Sequence, residues 1–289
     1  MTTQCEVQCY GLPRPRAETL AQTIVARVDA LVQKFNFHAA DSWLNRTINQ
    51  RRDHQQGGNR VQLDAETAAI LQTVRTHSAQ LKGVFDITVG TFAARLKQAT
   101  TLAEATAIRQ EYAPFTGLER WQLEDDTLLF DNPHTRFDLG GVIKEFAVDQ
   151  CLELARQAGA SAALVNFGGD LNTFGTKPGG ERFVAAVQDP LDAGRMLFAL
   201  DLENQALTTS GHYARKRQLA DGELSHVHAT AASTPSAAWL SATVVSRSTL
   251  VSGIYSTSLL LNPALDLPER VFAVTVDAQR RIHQLPRPA

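Results

Sequence analysis

Segments with helical periodicity alternate with short β-rich runs along this chain, and this alternation constrains the fold more than any other feature. Apolar residues recur at helical spacing in residues 17–35 and 142–158, so each segment can bury one face of a helix. Residues 5–10 and 162–167 have instead the composition of strands. The pattern predicts an α/β or α+β fold. A length of 289 residues suits one large domain or two intimately joined ones.

The composition and the first residues of the chain argue against several classes of protein. Lys and Arg number 28 against 30 Asp and Glu, so there is no basic surplus of the kind that nucleic-acid binding requires. Residues 224–246 lack these four residue types, but Ser, Thr, His and Pro interrupt them, so we expect no membrane-spanning helix. Residues 1–16 have no apolar core after a basic start, unlike a signal peptide. We therefore predict a cytoplasmic protein with neither a membrane nor a nucleic acid as partner.

The segment FDLGGVIK, residues 137–144, has the pattern of a strand that ends in a glycine pair and passes into a helix. The free N–H groups and partial positive charge at a helix N-terminus suit a phosphate group, and Lys144 adds a full positive charge there. We expect Asp138 to order the turn. The segment has no P-loop or dinucleotide spacing, so a plain strand-to-helix turn with an exposed lysine is the alternative.

Two further glycine-containing motifs follow along the chain. NFGGD, residues 166–170, ends a β-rich run with two glycines and an acid, and TSGHY, residues 209–213, offers two hydroxyl groups and a glycine. His226 and His228 are two residues apart, so on a strand they would face the same side, as a pair of transition-metal ligands does. No carboxylate or cysteine cluster accompanies them in the sequence. A solvated or hydrogen-bonded histidine is therefore the alternative for His228.

Taken in order, the motifs resemble those of the FAD:protein FMN transferase family, also called the ApbE family. The series runs over about residues 30–262 and includes AADSWLNRTINQ, GVFDITVG, FDLGGVIKEFAVD, LVNFGGDLNTFG, TTSGHY, a histidine, and STS in a small-residue helix. The resemblance implies one domain of residues 1–289, in which two interleaved subdomains enclose a flavin cleft. It also implies an activity, because family members bind FAD and use Mg²⁺ to transfer its FMN half to a threonine of a target flavoprotein, releasing AMP. Some members hydrolyse FAD instead.

The resemblance also implies which residues form the site. The residues implied to bind FAD, all in the glycine motifs, are Asp138, Gly140, Gly141, Lys144, Gly168, Gly169, Asp170, Ser210 and Gly211. His226 matches a histidine that is a candidate for the base that takes the threonine proton. Thr257 matches a threonine that contributes its hydroxyl group to the Mg²⁺ site.

Three departures from the family pattern mark this chain as a divergent member. Ala229 stands where the family has the Asp of a His-x-x-Asp-Pro motif, and Glu145 replaces a glycine beside the lysine. Gly253 stands where the family's Ala-Asp-Ala-x-x-Thr helix supplies a Mg²⁺ carboxylate. Mg²⁺ depends on anionic oxygen ligands, so we expect a weakened metal site unless Asp170 or Glu145 compensates. On this interpretation Gly253→Asp raises Mg²⁺-dependent turnover.

These departures leave two alternatives to standard FMN transfer. One is a catalytically impaired homologue that binds a flavin, another nucleotide or a partner protein. The other is a hydrolase or a different enzyme on the same fold, in which His212, His226 and His228 form a new site. The sequence carries no signature of the acceptor protein or of the oligomeric state.

Overall fold

The computed structural model describes residues 3–50, 59–211, 216–225 and 238–286, which form helices around a large antiparallel sheet. The helices are α1 (Arg14–Phe35), α2 (Ala65–Gln80), α3 (Gly90–Leu96), α4 (Leu102–Tyr112), α5 (Ile143–Gln157) and α6 (Thr249–Leu261). The strands are β1 (Cys5–Tyr10), β2 (Arg60–Gln62), β3 (Trp121–Glu124), β4 (Thr127–Phe130), β5 (Ala162–Phe167), β6 (Asp170–Phe174), β7 (Phe183–Asp189), β8 (Asp192–Leu202), β9 (Ala206–Gly211), β10 (Lys216–Leu219), β11 (Gly222–Ser225), β12 (Trp239–Ser246), β13 (Phe272–Asp277) and β14 (Ile282–Leu285). A π-helical segment, Leu44–Asn49, follows α1.

Seven strands form the main sheet in the order β1-β5-β6-β9-β12-β13-β14, and each neighbouring pair is antiparallel. Strand β5 is buried on both faces, which explains its nearly continuous apolar sequence. Val165 and Phe167 point into the core beneath the helices, whereas Ala162 and Leu164 point into a second core. The sheet is therefore covered on both sides.

Helices α5 and α6 pack against one face of the main sheet, and α1 packs on α5. The β7–β8 hairpin covers the opposite face, where Phe183, Ala185 and Leu202 complete the second core. A smaller sheet, ordered β2-β4-β3, lies beside α2. None of the helices in the described ranges combines the length and apolar character needed to cross a membrane.

Most sequence-based predictions of secondary structure are confirmed. β1 and β5 have the predicted bounds, and α1 and α5 occupy the two segments with helical periodicity. Asp64 caps α2, since its side chain accepts the backbone N–H of Thr67. The structure adds strands β6 and β9, which the sequence pattern does not predict; β6 begins at Asp170 of NFGGD, and β9 ends at Gly211 of TSGHY. The division into two interleaved subdomains stays a prediction.

The predicted strand at the start of FDLGGVIK is wrong. Residues 137–139 belong to no sheet among those described, and a side chain satisfies backbone groups there. The Asn49 amide accepts the N–H of Phe137 at 2.7 Å and donates to its carbonyl at 2.9 Å. The next N–H, from Asp138, donates to the carbonyl of Ile87 at 2.8 Å. Phe137 and Leu139 are therefore buried without a neighbouring strand, because other partners satisfy backbone groups of this segment.

Candidate active site

The NFGGD motif forms the tight turn of the hairpin between β5 and β6. Gly168 and Gly169 have φ values of 64° and 96°, a region that favours glycine because it lacks a Cβ. The side-chain oxygen of Asn166 accepts the backbone N–H of Gly169 at 2.9 Å and closes the turn. The turn makes Asp170 the first residue of β6, with its side chain buried.

Lys144 connects this hairpin to the first turn of α5. Its ammonium group forms an ion pair with the carboxylate of Asp170 and lies 3.2 Å from Oε1 of Glu145. The Lys144 side chain is 29% exposed, whereas both carboxylates are buried. We call Lys144, Glu145 and Asp170 the lysine cluster. One ammonium group thus contacts two buried carboxylate side chains.

The turn between FDL and α5 is held by Asp138, as the sequence predicted. Its Oδ1 accepts the backbone N–H of Gly140 at 2.9 Å. Burial is the main cause that raises the pKa of the Asp138 carboxyl above its ordinary value, and the Gly140 hydrogen bond opposes it. Gly140 and Gly141 are exposed next to the start of α5, so their backbone is accessible to a ligand.

Three hydroxyl groups meet where the end of β9 lies against α6. The Oγ atom of Ser210 lies 2.8 Å from Oγ of Ser256 and 3.2 Å from Oγ1 of Thr257. We call these three residues the hydroxyl cluster. Gly211 is buried at the end of β9, opposite Ser241 of β12. The antiparallel pairing therefore holds Ser210 in place beside α6.

Gly253 is the point at which α6 meets the lysine cluster. A Cβ atom built on Gly253 would stand 2.7 Å from Cγ and 3.3 Å from Cδ of Glu145, closer than side chains normally approach. The backbone of α6 therefore packs directly against the Glu145 side chain. Thr257 follows four residues later and lies on the same helical face. The lysine cluster therefore contacts α6 at Gly253, and the hydroxyl cluster includes Thr257, one turn further along the same helix.

Asp149 fixes the start of α6 relative to α5 and β6. Its carboxylate accepts the Ser248 hydroxyl at 2.8 Å and the backbone N–H groups of Thr249 and Leu250 at 2.8 and 3.1 Å. It also accepts the side-chain amide of Asn172 at 2.7 Å. A negative charge at a helix N-terminus is favoured by the helix dipole. The sequence analysis missed this residue, because its partners on α6 are 99 to 101 residues away and no local pattern indicates the contact.

The predicted base and the alternative histidine site lie outside the described residues, which also omit Ala229; the histidines are His212, His226 and His228. Within the described ranges, no group of three or more His, Cys, Asp or Glu side chains is placed to hold a metal ion. The site nevertheless offers the oxygen donors of Asp170 and Thr257. Oxygen donors suit Mg²⁺, which commonly takes one or two carboxylates and completes its shell with phosphates and water.

The main sheet is antiparallel, and the glycine hairpin between β5 and β6 lies beside the start of α5, which carries Lys144. Together these features define a class of α+β protein. The chain belongs to the ApbE family, whose model matches residues 1–271. The family resemblance and the mixed helix-and-sheet fold predicted from the sequence are thereby confirmed.

The similar proteins include FAD:protein FMN transferases from two bacteria. The one from Klebsiella pneumoniae is 29% identical over 237 residues, which cover 78% of this chain and 66% of the relative. The one from Rhodobacter capsulatus is 25% identical over 286 residues, which cover 97% of this chain and 53% of the relative. The chain therefore spans about half to two thirds of the length of these curated relatives.

Solved structures show the same fold at low sequence identity. The ApbE protein from Thermotoga maritima has a TM-score of 0.82 at 20% identity, covering 98% of this chain and 96% of its own. The flavin transferase ApbE from Vibrio cholerae has a TM-score of 0.79 at 20% identity, covering 98% and 93%. At such identities the similarity establishes the fold, and the function has to be argued from the site.

Proposed function

We propose that this protein is an FAD:protein FMN transferase. It binds FAD, transfers the FMN half to a threonine hydroxyl group of an acceptor flavoprotein and releases AMP, with Mg²⁺ as the metal. The observation that carries the proposal is that α6 contacts the lysine cluster at Gly253 and carries Thr257 of the hydroxyl cluster one turn further on, in a chain whose similar relatives carry this activity in their names.

The proposed reaction exchanges the phosphoanhydride bond between the two halves of FAD for a phosphoester bond to the threonine. The threonine oxygen forms a bond to the phosphorus of the FMN half, the bond from that phosphorus to the bridging oxygen breaks, and AMP leaves with that oxygen. Negative charge develops on the phosphates, so fixed donors and cations lower the barrier. Lys144 supplies a cation beside the exposed Gly140 and Gly141, whose backbone lies near the start of α5.

The remaining residues serve the two ends of the site. Thr257 and Asp170 offer oxygen ligands to Mg²⁺, which when bound neutralises charge on the diphosphate. The turn of Gly168 and Gly169 gives the ligand a close approach to the backbone, next to Asp170. His226 is proposed as the base that takes the threonine proton, on the resemblance of the motifs alone.

The test is FAD binding by calorimetry with and without Mg²⁺, followed by measurement of AMP release with and without an acceptor flavoprotein. The proposal expects binding, and AMP release that requires the acceptor and covalently labels its threonine. AMP and FMN release without an acceptor would replace the transferase with a hydrolase. Binding with no AMP release would identify a non-catalytic flavin-binding homologue, and no binding would overturn every flavin-based function.

A further inference from the structure

Glu145 is buried in a way that the contacts around it do not explain. Only 5% of the residue is exposed, and its Oε2 atom has no hydrogen-bond partner among the described residues. Its other oxygen lies 3.2 Å from Lys144, but Lys144 is also ion-paired with Asp170. A buried carboxylate oxygen without a partner costs free energy, so such an atom indicates a missing cation or donor.

The side chain of Glu145 occupies the space that a side chain at position 253 would need. A Cβ on Gly253 would lie 2.7 Å from Cγ of Glu145 and 3.6 Å from its Cβ. The clash therefore involves the outer part of the glutamate and not its Cβ. A glutamate at 145 and an aspartate at 253 exclude each other, whereas either one alone places a carboxylate beside this turn of α6.

We propose that Glu145 supplies the metal-binding carboxylate of this site, delivered from α5 across Gly253 instead of from α6 itself. This inference rests on the proposed function, since it concerns the metal of the same reaction. With Thr257 one turn along α6 and Asp170 ion-paired with the same Lys144, the site then holds two carboxylates and a hydroxyl group. This donor set matches a hard divalent cation whose remaining ligands are phosphates or water.

If Glu145 supplies the carboxylate, the effect expected from the sequence for Gly253→Asp is reversed. The sequence analysis expected Gly253→Asp to restore a lost ligand. In the structure the added side chain meets Glu145 first and pushes it away from its position. Gly253→Asp alone should therefore lower both metal affinity and thermal stability.

The first experiment measures Mn²⁺ binding to the full chain by electron paramagnetic resonance, with and without FAD. Glu145→Gln keeps the shape of the side chain and should weaken Mn²⁺ binding at least about tenfold. The matched control is Glu153→Gln, an exposed glutamate on the same helix that pairs with Arg156, and it should leave Mn²⁺ affinity unchanged. Equal affinity in Glu145→Gln and the unsubstituted protein overturns the inference. So does an unsubstituted protein that binds no Mn²⁺ in either condition.

The second experiment is a reciprocal exchange that remains informative if single variants are unstable. Glu145→Ala combined with Gly253→Asp moves the carboxylate from α5 to α6, and the alanine Cβ stays at an ordinary contact distance of 3.6 Å. The double variant should bind Mn²⁺ within about threefold of the unsubstituted protein, while each single variant binds at least about tenfold more weakly. Additive losses in the double variant would contradict the exchange.

The two proposals fail in different ways. If the protein binds Mn²⁺ through Glu145 but releases no AMP from FAD, the transferase proposal fails and the metal ligand stands. If AMP is released but Glu145→Gln leaves Mn²⁺ affinity unchanged, the transferase proposal stands and the assignment of Glu145 as a metal ligand fails.

Discussion

At the scale of single residues, Lys144 has two roles that oppose each other. In the structure it neutralises Asp170 and contacts Glu145, and in the proposed reaction it faces the phosphates of FAD. Only part of its charge is therefore available to a ligand until a metal ion takes over the carboxylates. The affinity for FAD should therefore depend on the metal more strongly than it would if Lys144 were a free surface lysine.

Lys144→Ala should weaken FAD binding at least about tenfold, or about 1.4 kcal/mol, because it removes the cation beside the start of α5. Lys144→Arg should keep most of the affinity. Calorimetry in the presence of Mg²⁺ measures both, and thermal unfolding confirms that each variant is folded. The control is Lys177→Ala, in the loop that follows the far end of β6 from the glycine turn. Unchanged FAD affinity in Lys144→Ala would remove this residue from the binding site.

Asp138 leads to a prediction about pH. Burial raises the pKa of its carboxyl in the folded chain, so the folded state holds the proton more tightly than the unfolded state. The contribution of Asp138 to stability is thus largest at acidic pH and falls as the pH rises through the raised pKa. Asp138→Asn still accepts the Gly140 N–H but does not titrate. Urea unfolding between about pH 4 and about pH 7 should show the variant gaining stability relative to the parent as the pH rises. A difference that is independent of pH would contradict this.

Residue-level prediction from the sequence succeeded where a motif is local and failed where a contact is distant. The glycine turn at Gly168 and Gly169 follows from residue type alone, and Lys144 is placed by its position in a helix start. The contact between Glu145 and Gly253 joins residues of two helices, and nothing in the neighbourhood of either one indicates it. The sequence therefore shows two separate departures from the family pattern, although in the structure the two residues form one contact.

At the scale of secondary-structure elements, α6 is held at its start by a neighbour and not only by its own cap. Ser248 accepts the N–H of Val251 as a helix cap, and Asp149 of α5 binds the hydroxyl of Ser248 together with two further N–H groups. The same carboxylate binds Asn172 of β6. The side chain of Asp149 therefore holds α5, α6 and β6 together, and these elements carry residues of the lysine and hydroxyl clusters.

Asp149→Ala should lower the free energy of unfolding by about 3 kcal/mol, because it leaves several partly buried donors without an acceptor. Chemical denaturation measures this loss. Glu153→Ala, an exposed position one turn further along α5, is the control and should change stability by less than about 0.5 kcal/mol. A loss of similar size in both variants would show that α5 responds to any substitution and that the cap is unimportant.

At the scale of the whole molecule, the main sheet is enclosed between the helices and the β7–β8 hairpin. The alternation of helices and strands predicted the class of this fold. It did not predict the strand order, because β1 pairs with β5 and β9 with β12 across long stretches of sequence. Such long-range pairing depends on which faces pack together, and a one-dimensional pattern contains no record of that.

Cys151 provides a measure of how tightly this enclosed core holds. It lies on α5 inside the core, and burial raises the pKa of its thiol to about 12. In a Cys5→Ser, Cys9→Ser background, thiol reagents at about pH 8 should modify Cys151 only when the molecule unfolds, so that added urea accelerates labelling in step with unfolding. A variant that retains only Cys5, which is exposed, should react without urea. Rapid labelling of Cys151 in the absence of urea would show that α5 separates locally from the sheet.

The contact between Glu145 and Gly253 also has a consequence for the history of the chain. The space between positions 145 and 253 has room for one carboxylate, so the two positions cannot change independently. An intermediate with acidic residues at both positions is crowded, and an intermediate with neither has no carboxylate there. A lineage that moves the charge from one helix to the other therefore passes through a less fit ancestor or changes both positions together. An alignment survey that scores each position separately would record the loss of a carboxylate at position 253. A survey that scores positions 145 and 253 together would find that the carboxylate is retained.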